Sequence, residues 1–488
     1  MIDAVRLVAW MMLALCFGAS GESFCEAPRG IEVGHVAVWE DPGGDADLEQ
    51  ALAHRKRFHR ISERIPNYHY TKSAFWFRIA VENERESSAD LYLKVGHPLL
   101  DSLRLYTVSG GSRTGGVRSG DRVPAIDRPV PGAVAHLFPF RVPGEASVEL
   151  YLRVRSRASL MIVPLEVIDR YGVEDVRLSD RMIMGVLLGL FGALFVYNLL
   201  VFALLRERTY LYYVLYLVVT FFTVTALNGR GAVFLYPRNT WPANEGLMLF
   251  SGLSYVLILL FIREFLKTRG HALMEGILKT MIGVSVLSLF SPFYLPIQTA
   301  YHFASLLPFL FPIVSLGIGI VAWKQGRTEA RFFVIGQASS WIGLMVFGFM
   351  INGVLDFHPI VFESVTIGIS ADALLLSLAL ADRIRIEQRA RLRAEDAARR
   401  NLEIRQEELK RLVDERTAEI QTLKGIIPIC MYCKTIRDDQ GYWSQLEQYI
   451  SEHSDAQFSH GICPKCLEER YPEEDDEEDG EEDGESAE

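Results

Sequence analysis

The chain has 488 residues, half of them hydrophobic, and a formal net charge of −11. With a positive mean hydropathy, that composition is unusual for one soluble globule and ordinary for a membrane protein with soluble attachments. The charge sits at one end: 12 of the 61 acidic residues lie between Glu473 and Glu488, and without them 49 acids stand against 50 bases.

Residues 1–21 read as a signal peptide. A single Arg6 precedes a short apolar run, and the small Ala19 and Gly21 are placed for cleavage near Glu22. Cys16 follows Leu13, Ala14 and a bulky Leu15 that fits a lipoprotein site poorly. An uncleaved anchor helix is the alternative. Cys25 is left as an unpaired cysteine in the exported part, with no role assigned.

Residues 28–168 carry short alternating runs between Gly, Pro and Asp, clearest at 75–81, 91–95, 103–108, 137–142, 148–154 and 161–168. Six or more such strands predict an antiparallel β-sandwich. In FWFRIAV, Phe75, Phe77, Ile79 and Val81 share the core face, with Trp76 and Arg78 on the other. Trp76 has two readings, ligand stacking and packing between sheet and loop. His54, His59, His69, His97 and His136 show no metal-ligand spacing, and no catalytic constellation is evident.

Residues 182–381 contain seven apolar stretches near the ~20 residues that cross a bilayer, at 182–205, 210–228, 246–262, 277–296, 303–323, 330–351 and 360–381. Arg206 and Arg208, then Arg263, Lys267 and Arg269, then Lys324, Arg327 and Arg331, then Arg383 and Arg385 enrich alternate connections. The positive-inside rule then puts the N-terminus outside and the C-terminus inside. Asn198, Glu363 and Asp372 are polar groups within the spans. A functional relay and plain inter-helix hydrogen bonding both suit them, and Glu363 also suits the outer interface.

The stretches SAFWFRIAVEN and LYLKVGHPLLDSLRLY, and then GVLLGLFGALFVYNLLVFALLRERTYLYYVLY, carry a resemblance. Over residues 28–385 the chain resembles the bacterial seven-transmembrane receptors with diverse intracellular signalling modules. The resemblance implies an exported jelly-roll domain, ligand sensing outside, relay to the inside, and location in the bacterial inner membrane; it names no ligand, and carbohydrate is a candidate class only through the stacking reading of Trp76.

Residues 383–427 have no Pro, one Gly and many strong helix formers. Leu402, Gln406, Leu409, Val413, Arg416, Ile420, Leu423 and Ile427 make a heptad seam with two polar interruptions. A dimeric coiled-coil stalk continuous with the seventh span is predicted, and its basic start suits anionic headgroups.

Residues 428–472 hold Cys430-x2-Cys433 and Cys463-x2-Cys466, four thiols in the pattern of a zinc-knuckle-like site. In a reducing cytoplasm, metal ligation is favoured over a disulfide. Redox or iron chemistry is the alternative. Asp439–Gly441 reads as a turn, and YWSQLEQYISEH as a helix packing Trp443, Leu446 and Ile450 on the knuckles. His453 and His460 are left outside the ligand set. Residues 473–488 read as an acidic disordered tail that would repel nucleic acid.

The fold class is thus a multidomain membrane protein: all-β exported sandwich, seven-helix bundle, cytoplasmic coiled coil and small four-cysteine domain. The function read from it is a non-enzymatic receptor that relays an outside signal to a cytoplasmic signalling partner. A cytoplasmic redox or metal sensor is one alternative. A transporter using Asp372 and Glu363 is another.

Overall fold

The computed structural model describes residues 28–471, apart from 62–64, 70, 110–111, 157–160, 353 and 356–357. The signal segment with Cys16, Cys25 and the acidic tail lie outside the described residues. The chain forms two compact units, the first ending at Gln388 and the second starting at Arg389.

The first unit opens with a β domain: β1 (Ile31–Val33), β2 (Ala37–Asp41), α1 (Leu48–Ala53), β3 (His59–Arg60), β4 (Ala74–Asn83), β5 (Ala89–Val95), β6 (Ser102–Ser109), β7 (Ser112–Ser119), β8 (His136–Val142), β9 (Ala146–Arg155) and β10 (Leu165–Ile168). The larger sheet runs β3-β2-β4-β9-β6-β7, with β1 also on β4, and the smaller runs β10-β5-β8. Their facing sides interleave Phe75, Phe77, Ile79, Leu150 and Leu152 with Leu91, Leu93, Val95 and Phe138. The alternation of FWFRIAV thus becomes the core of a two-sheet sandwich.

On the far side of the larger sheet, α1 covers Trp76 and Tyr151, both fully buried against Ala51. Asp47 caps α1 through a reciprocal pair with Gln50. Trp76 stacks on Tyr106 with ring centroids 5.8 Å apart. It has no open face for ligand stacking, so its surroundings correct that reading in favour of packing.

The helices that follow are α2 (Arg170–Leu205), α3 (Arg208–Leu227), α4 (Arg230–Phe234), α5 (Glu245–Phe265), α6 (Ala272–Phe290), α7 (Ile297–Lys324), α8 (Ala330–Ile351), α9 (Pro359–Phe362) and α10 (Ser364–Lys424). Among the described residues, seven are long and apolar enough to cross a membrane: α2, α3, α5, α6, α7, α8 and α10.

Several ends differ from the hydropathy reading. Asp169 accepts the Gly172 N–H at 2.9 Å and starts α2 well before residue 182. Val173 of this extra length packs with Ile168, Val130 and Leu137, so sandwich and first span join without a linker. α6 ends at Phe290, where a turn containing Pro292 takes over. α10 begins only at Ser364, after α9, and ends at Lys424 before Gly425 and Pro428. Ile427, the last position of the proposed seam, therefore falls outside the helix.

Glycines set the approach of α8 to α10. A Cβ on Gly343 would lie 2.4 Å from the Ser364 carbonyl oxygen, and one on Gly368 would lie 2.8 Å from that of Ser339. Ser364 donates to the Gly343 carbonyl at 2.9 Å across the same contact. Small residues let two backbones pack directly in an apolar medium.

In the second unit α10 continues to Lys424, and β11 (Ile436–Arg437), β12 (Trp443–Ser444), α11 (Leu446–His453) and α12 (Pro464–Arg470) follow. The turn between β11 and β12 is organised by Asp438, whose carboxylate accepts the N–H groups of Gln440 and Tyr442. Gly441 sits there at φ +90. Trp443 is a strand residue, 54% exposed, rather than part of the helix, which starts at Leu446. The seam residues Leu402, Leu409, Val413 and Ile420 are all more than half exposed in the single chain.

A Gly343→Val substitution should drive α8 and α10 apart. We expect a loss of at least about 1–3 kcal/mol, the range for overpacking, read as a lower midpoint of thermal unfolding for the purified full chain. Gly348→Val, where a Cβ meets nothing within 4 Å, should be much milder. Equal effects would contradict the close contact.

Candidate functional site

Between the sandwich and the bundle lies a buried ionic joint. Gly229 precedes α4 at φ +76, and a Cβ there would lie 2.6 Å from Pro98, so the turn requires glycine. The turn aims Arg230, only 4% exposed, into the interior. Its guanidinium lies 2.5 Å from Glu363 Oε1 and 3.6 Å from Asp180 Oδ1. The other oxygen of Asp180 accepts the Val134 N–H of the sandwich at 2.8 Å. Asp180 belongs to α2, and Glu363 immediately precedes α10.

Around this charge the sandwich and the inter-helix segments share further bonds. Asn244 donates to the Asp121 carbonyl at 3.3 Å, and Arg122 pairs with Glu245 at 3.2 Å. Arg177 donates to the Pro131 carbonyl at 2.8 Å. Ala125 and Val134 pack on Val233. The His97 ring meets Phe362 edge-on, 5.7 Å between centroids.

Deeper in the bundle, one face of α10 takes polar contacts from several neighbours. Both oxygens of Asp372 accept from Gln337 of α8 at 3.1 Å, and Gln337 accepts from Ser315 of α7 at 2.6 Å. Asn198 of α2 donates to Ser377 at 2.9 Å. Tyr213 of α3 bonds the Ala373 carbonyl. One guanidinium nitrogen of Arg331 donates to both carboxylate oxygens of Asp382, at 2.9 and 2.8 Å. Asn198 and Asp372 therefore serve inter-helix bonding, while Glu363 belongs to the joint above.

Near the joint the sandwich buries three titratable groups. Asp121 is pushed up to about 7 by burial and then by Asp101. Burial lowers His97 to about 4, and burial followed by Arg128 lowers His136 well below its usual value. His136 is held by Ser119 at 2.9 Å and by the Pro98 carbonyl at 3.2 Å.

The four cysteines form two separate pairs. Cys430 and Cys433 share a tight turn closed by the Cys430 N–H to the Thr435 carbonyl, 2.8 Å, with Lys434 at φ +60. The Cys433 thiol is lowered to about 7, first by its hydrogen bond with Thr435 and then by other bonds including one with Cys430. Cys463 caps α12, and its thiol is lowered by bonds with Cys466 one turn on. Among the described residues, no three His, Cys, Asp or Glu side chains converge into a group able to hold a metal ion. The donor set is suited to a soft metal, and each pair is pre-formed, but the pairs are not brought together.

Sequence reasoning missed Asp180 and Arg230. The available signal was a carboxylate just before the first apolar run and an arginine inside the otherwise apolar GRGAVF.

Residues 180–383 match the family model described as 7TM diverse intracellular signalling, and residues 33–169 match the one described as 7TMR-DISM extracellular 2. No curated protein matches the chain.

Removing one partner of a buried ion pair costs about 3–5 kcal/mol. Arg230→Gln should therefore destabilise the full chain by that order, and adding Glu363→Gln should restore part of the loss. Strict additivity of the two substitutions would argue against the pair. A second expectation concerns pH. Between about 4 and 7, native Asp121 keeps a proton that the unfolded chain has lost, so its contribution to stability falls as pH rises. Native His97 stays neutral between about 4 and 6.5 while unfolded histidine is charged, so its contribution rises. Asp121→Asn removes the falling part, and stability of the variant should climb more steeply from pH 4.5 to 6.5 than that of the parent chain.

Proposed function

Because the chain belongs to the seven-transmembrane receptors with diverse intracellular signalling modules, we propose that its ionic joint passes a signal from the extracellular sandwich to the cytoplasmic end of α10. The observation that carries this reading is the position of Arg230 between Asp180 and Glu363. Asp180 is tied to the sandwich backbone at Val134, and Glu363 stands at the head of a helix that runs unbroken for 61 residues. A ligand that favours one arrangement of the sandwich would shift the joint by its differential affinity for the two states.

On this reading the protein is a bacterial inner-membrane receptor, non-catalytic itself, with the N-terminal domain outside and the C-terminus in the cytoplasm. The exposed Leu402, Leu409, Val413 and Ile420 pair two copies as a parallel coiled coil. The four cysteines hold one zinc ion and fold a small adaptor for a cytoplasmic signalling protein. The depressed Cys433 thiol supports a second reading, in which the cysteine segment is itself the redox or metal input. The transport reading would rest on Asp372, both of whose carboxylate oxygens accept from Gln337.

The test places a photo-crosslinker at position 402, 409 or 413 of the full receptor in lipid nanodiscs. Copies should crosslink at these sites and not at Glu408 or Arg411, which lie on the opposite face of the helix, and Arg230→Gln should change the pattern. An unchanged pattern would sink the relay, and absence of crosslinks would sink the dimer. Metal analysis of the same protein should give about one zinc per chain, lost in Cys463→Ser. Iron, or a reversible disulfide, would favour the redox reading.

A further inference from the structure

The outer face of the larger sheet carries an unusual row of charge. Register places Trp76 opposite Arg153, Arg153 opposite Arg104, and Arg104 opposite Arg118, across β4, β9, β6 and β7. Directly opposed side chains stand about 5 Å apart at Cβ, and like charges so placed are destabilising. Arg155 lies on the same face, two residues beyond Arg153 along β9. Four guanidiniums therefore crowd one patch of an otherwise well-paired sheet.

Two other arginines on this side of the sheet have acids: Arg55 pairs with Glu149, and Arg113 with Glu49. Among the described residues, Arg104, Arg118, Arg153 and Arg155 make no ion pair. The acid alongside, Asp41, spends its oxygens on the N–H groups of Gly44 and Ala46, at 3.0 and 2.9 Å. Arg153 and Arg155 share only the Gly44 carbonyl, at 2.5 and 2.9 Å. The Nε groups of both are buried with no hydrogen-bond partner, and burial, Arg155 and Arg104 oppose the charge of Arg153, which Asp41 and Tyr106 offset only in part. Gly44 stands at φ +67, where a Cβ would lie 2.8 Å from the Arg155 guanidinium carbon, so the 41–47 loop is shaped to lie against these arginines.

Guanidiniums without an acid partner, with Arg104, Arg153 and Arg155 half-buried and Arg118 exposed beside them, are an arrangement that an oxyanion completes. Each planar fork can bind a carboxylate or phosphate through two N–H groups, and a ligand with more than one anionic group can span neighbours. We propose that Arg104, Arg118, Arg153 and Arg155 form the ligand site of the extracellular sandwich, and that its ligand is a multivalent oxyanion bearing carboxylates or phosphates. This rests on the receptor reading and replaces a neutral sugar with an acidic ligand.

The test uses the full receptor in nanodiscs, with calorimetry and thermal unfolding. Citrate and inorganic phosphate serve as free anions, polygalacturonate as a polymeric one, and maltoheptaose as a neutral control. At least one anionic probe should bind saturably and raise the unfolding midpoint, more weakly as salt increases. Affinity should fall at least tenfold in Arg104→Gln and in Arg153→Gln. The ligand-free midpoint of Arg104→Gln should equal or exceed that of the parent, because a like-charge contact is relieved. A sharp drop in that midpoint would assign the row a structural role and overturn the site. So would failure of every anionic probe, or binding indifferent to both substitutions. Saturable binding of maltoheptaose alone would sink the acidic ligand and leave the receptor reading standing. An anion that binds at the arginines without altering the stalk crosslinks would support the site and refute the relay.

Discussion

The buried Arg230 organises the junction of sandwich and bundle in the first unit. Arg230 leaves water for a place between two carboxylates, and neither the desolvation nor the attraction is small. A hydrophobic contact of similar size could hold the same parts together. What the ion pair adds is direction, since the guanidinium donates to Glu363 while its other side faces Asp180. Asp180 in turn is fixed by the Val134 N–H. The sandwich, α2 and the head of α10 therefore meet at one point whose geometry is strongly specified.

Below that point α10 is held by bonds of a different kind. Gln337, Asn198, Tyr213 and Arg331 reach it from three helices, and Gly343 and Gly368 bring α8 against its backbone. A polar group in hydrocarbon cannot exchange its partner for water. Motion of α10 must trade one set of bonds for another, which favours a few discrete positions over gradual drift.

Much of the architecture was legible because it depends on local pattern. Alternation in FWFRIAV, the length of seven apolar runs and the helix-forming composition after Leu380 all act within a few turns or strands. Helix ends were less legible, because the Asp169 cap and Pro292 outweigh hydropathy. Trp76 shares a strand with core residues, yet its exposure is set by α1, an element from elsewhere in the chain. Asp180 and Arg230 read as flanking charges, since nothing in sequence shows that a domain rests over them. The arginine row is invisible for the same reason: Arg104, Arg118 and Arg153 become neighbours only through strand register. The C-x-x-C turns are local and form as spacing suggests, whereas uniting the two pairs requires a contact that spacing cannot supply.

The junctions at the two ends of the bundle differ in how they bear on modularity. At Ile168 and Asp169 the sandwich passes into α2 without a spacer, and Val134, Pro98 and Asp121 are fitted to residues of the bundle. A sandwich exchanged for another would have to bring its partners on α2, α4 and α9 with it, so these two parts should be inherited as a block. At Lys424 the long helix simply stops, and Gly425 and Pro428 separate it from whatever follows. Exchange of the segment after that point leaves α10 itself uninterrupted, which gives a physical basis for one membrane receptor design carrying many different intracellular ends.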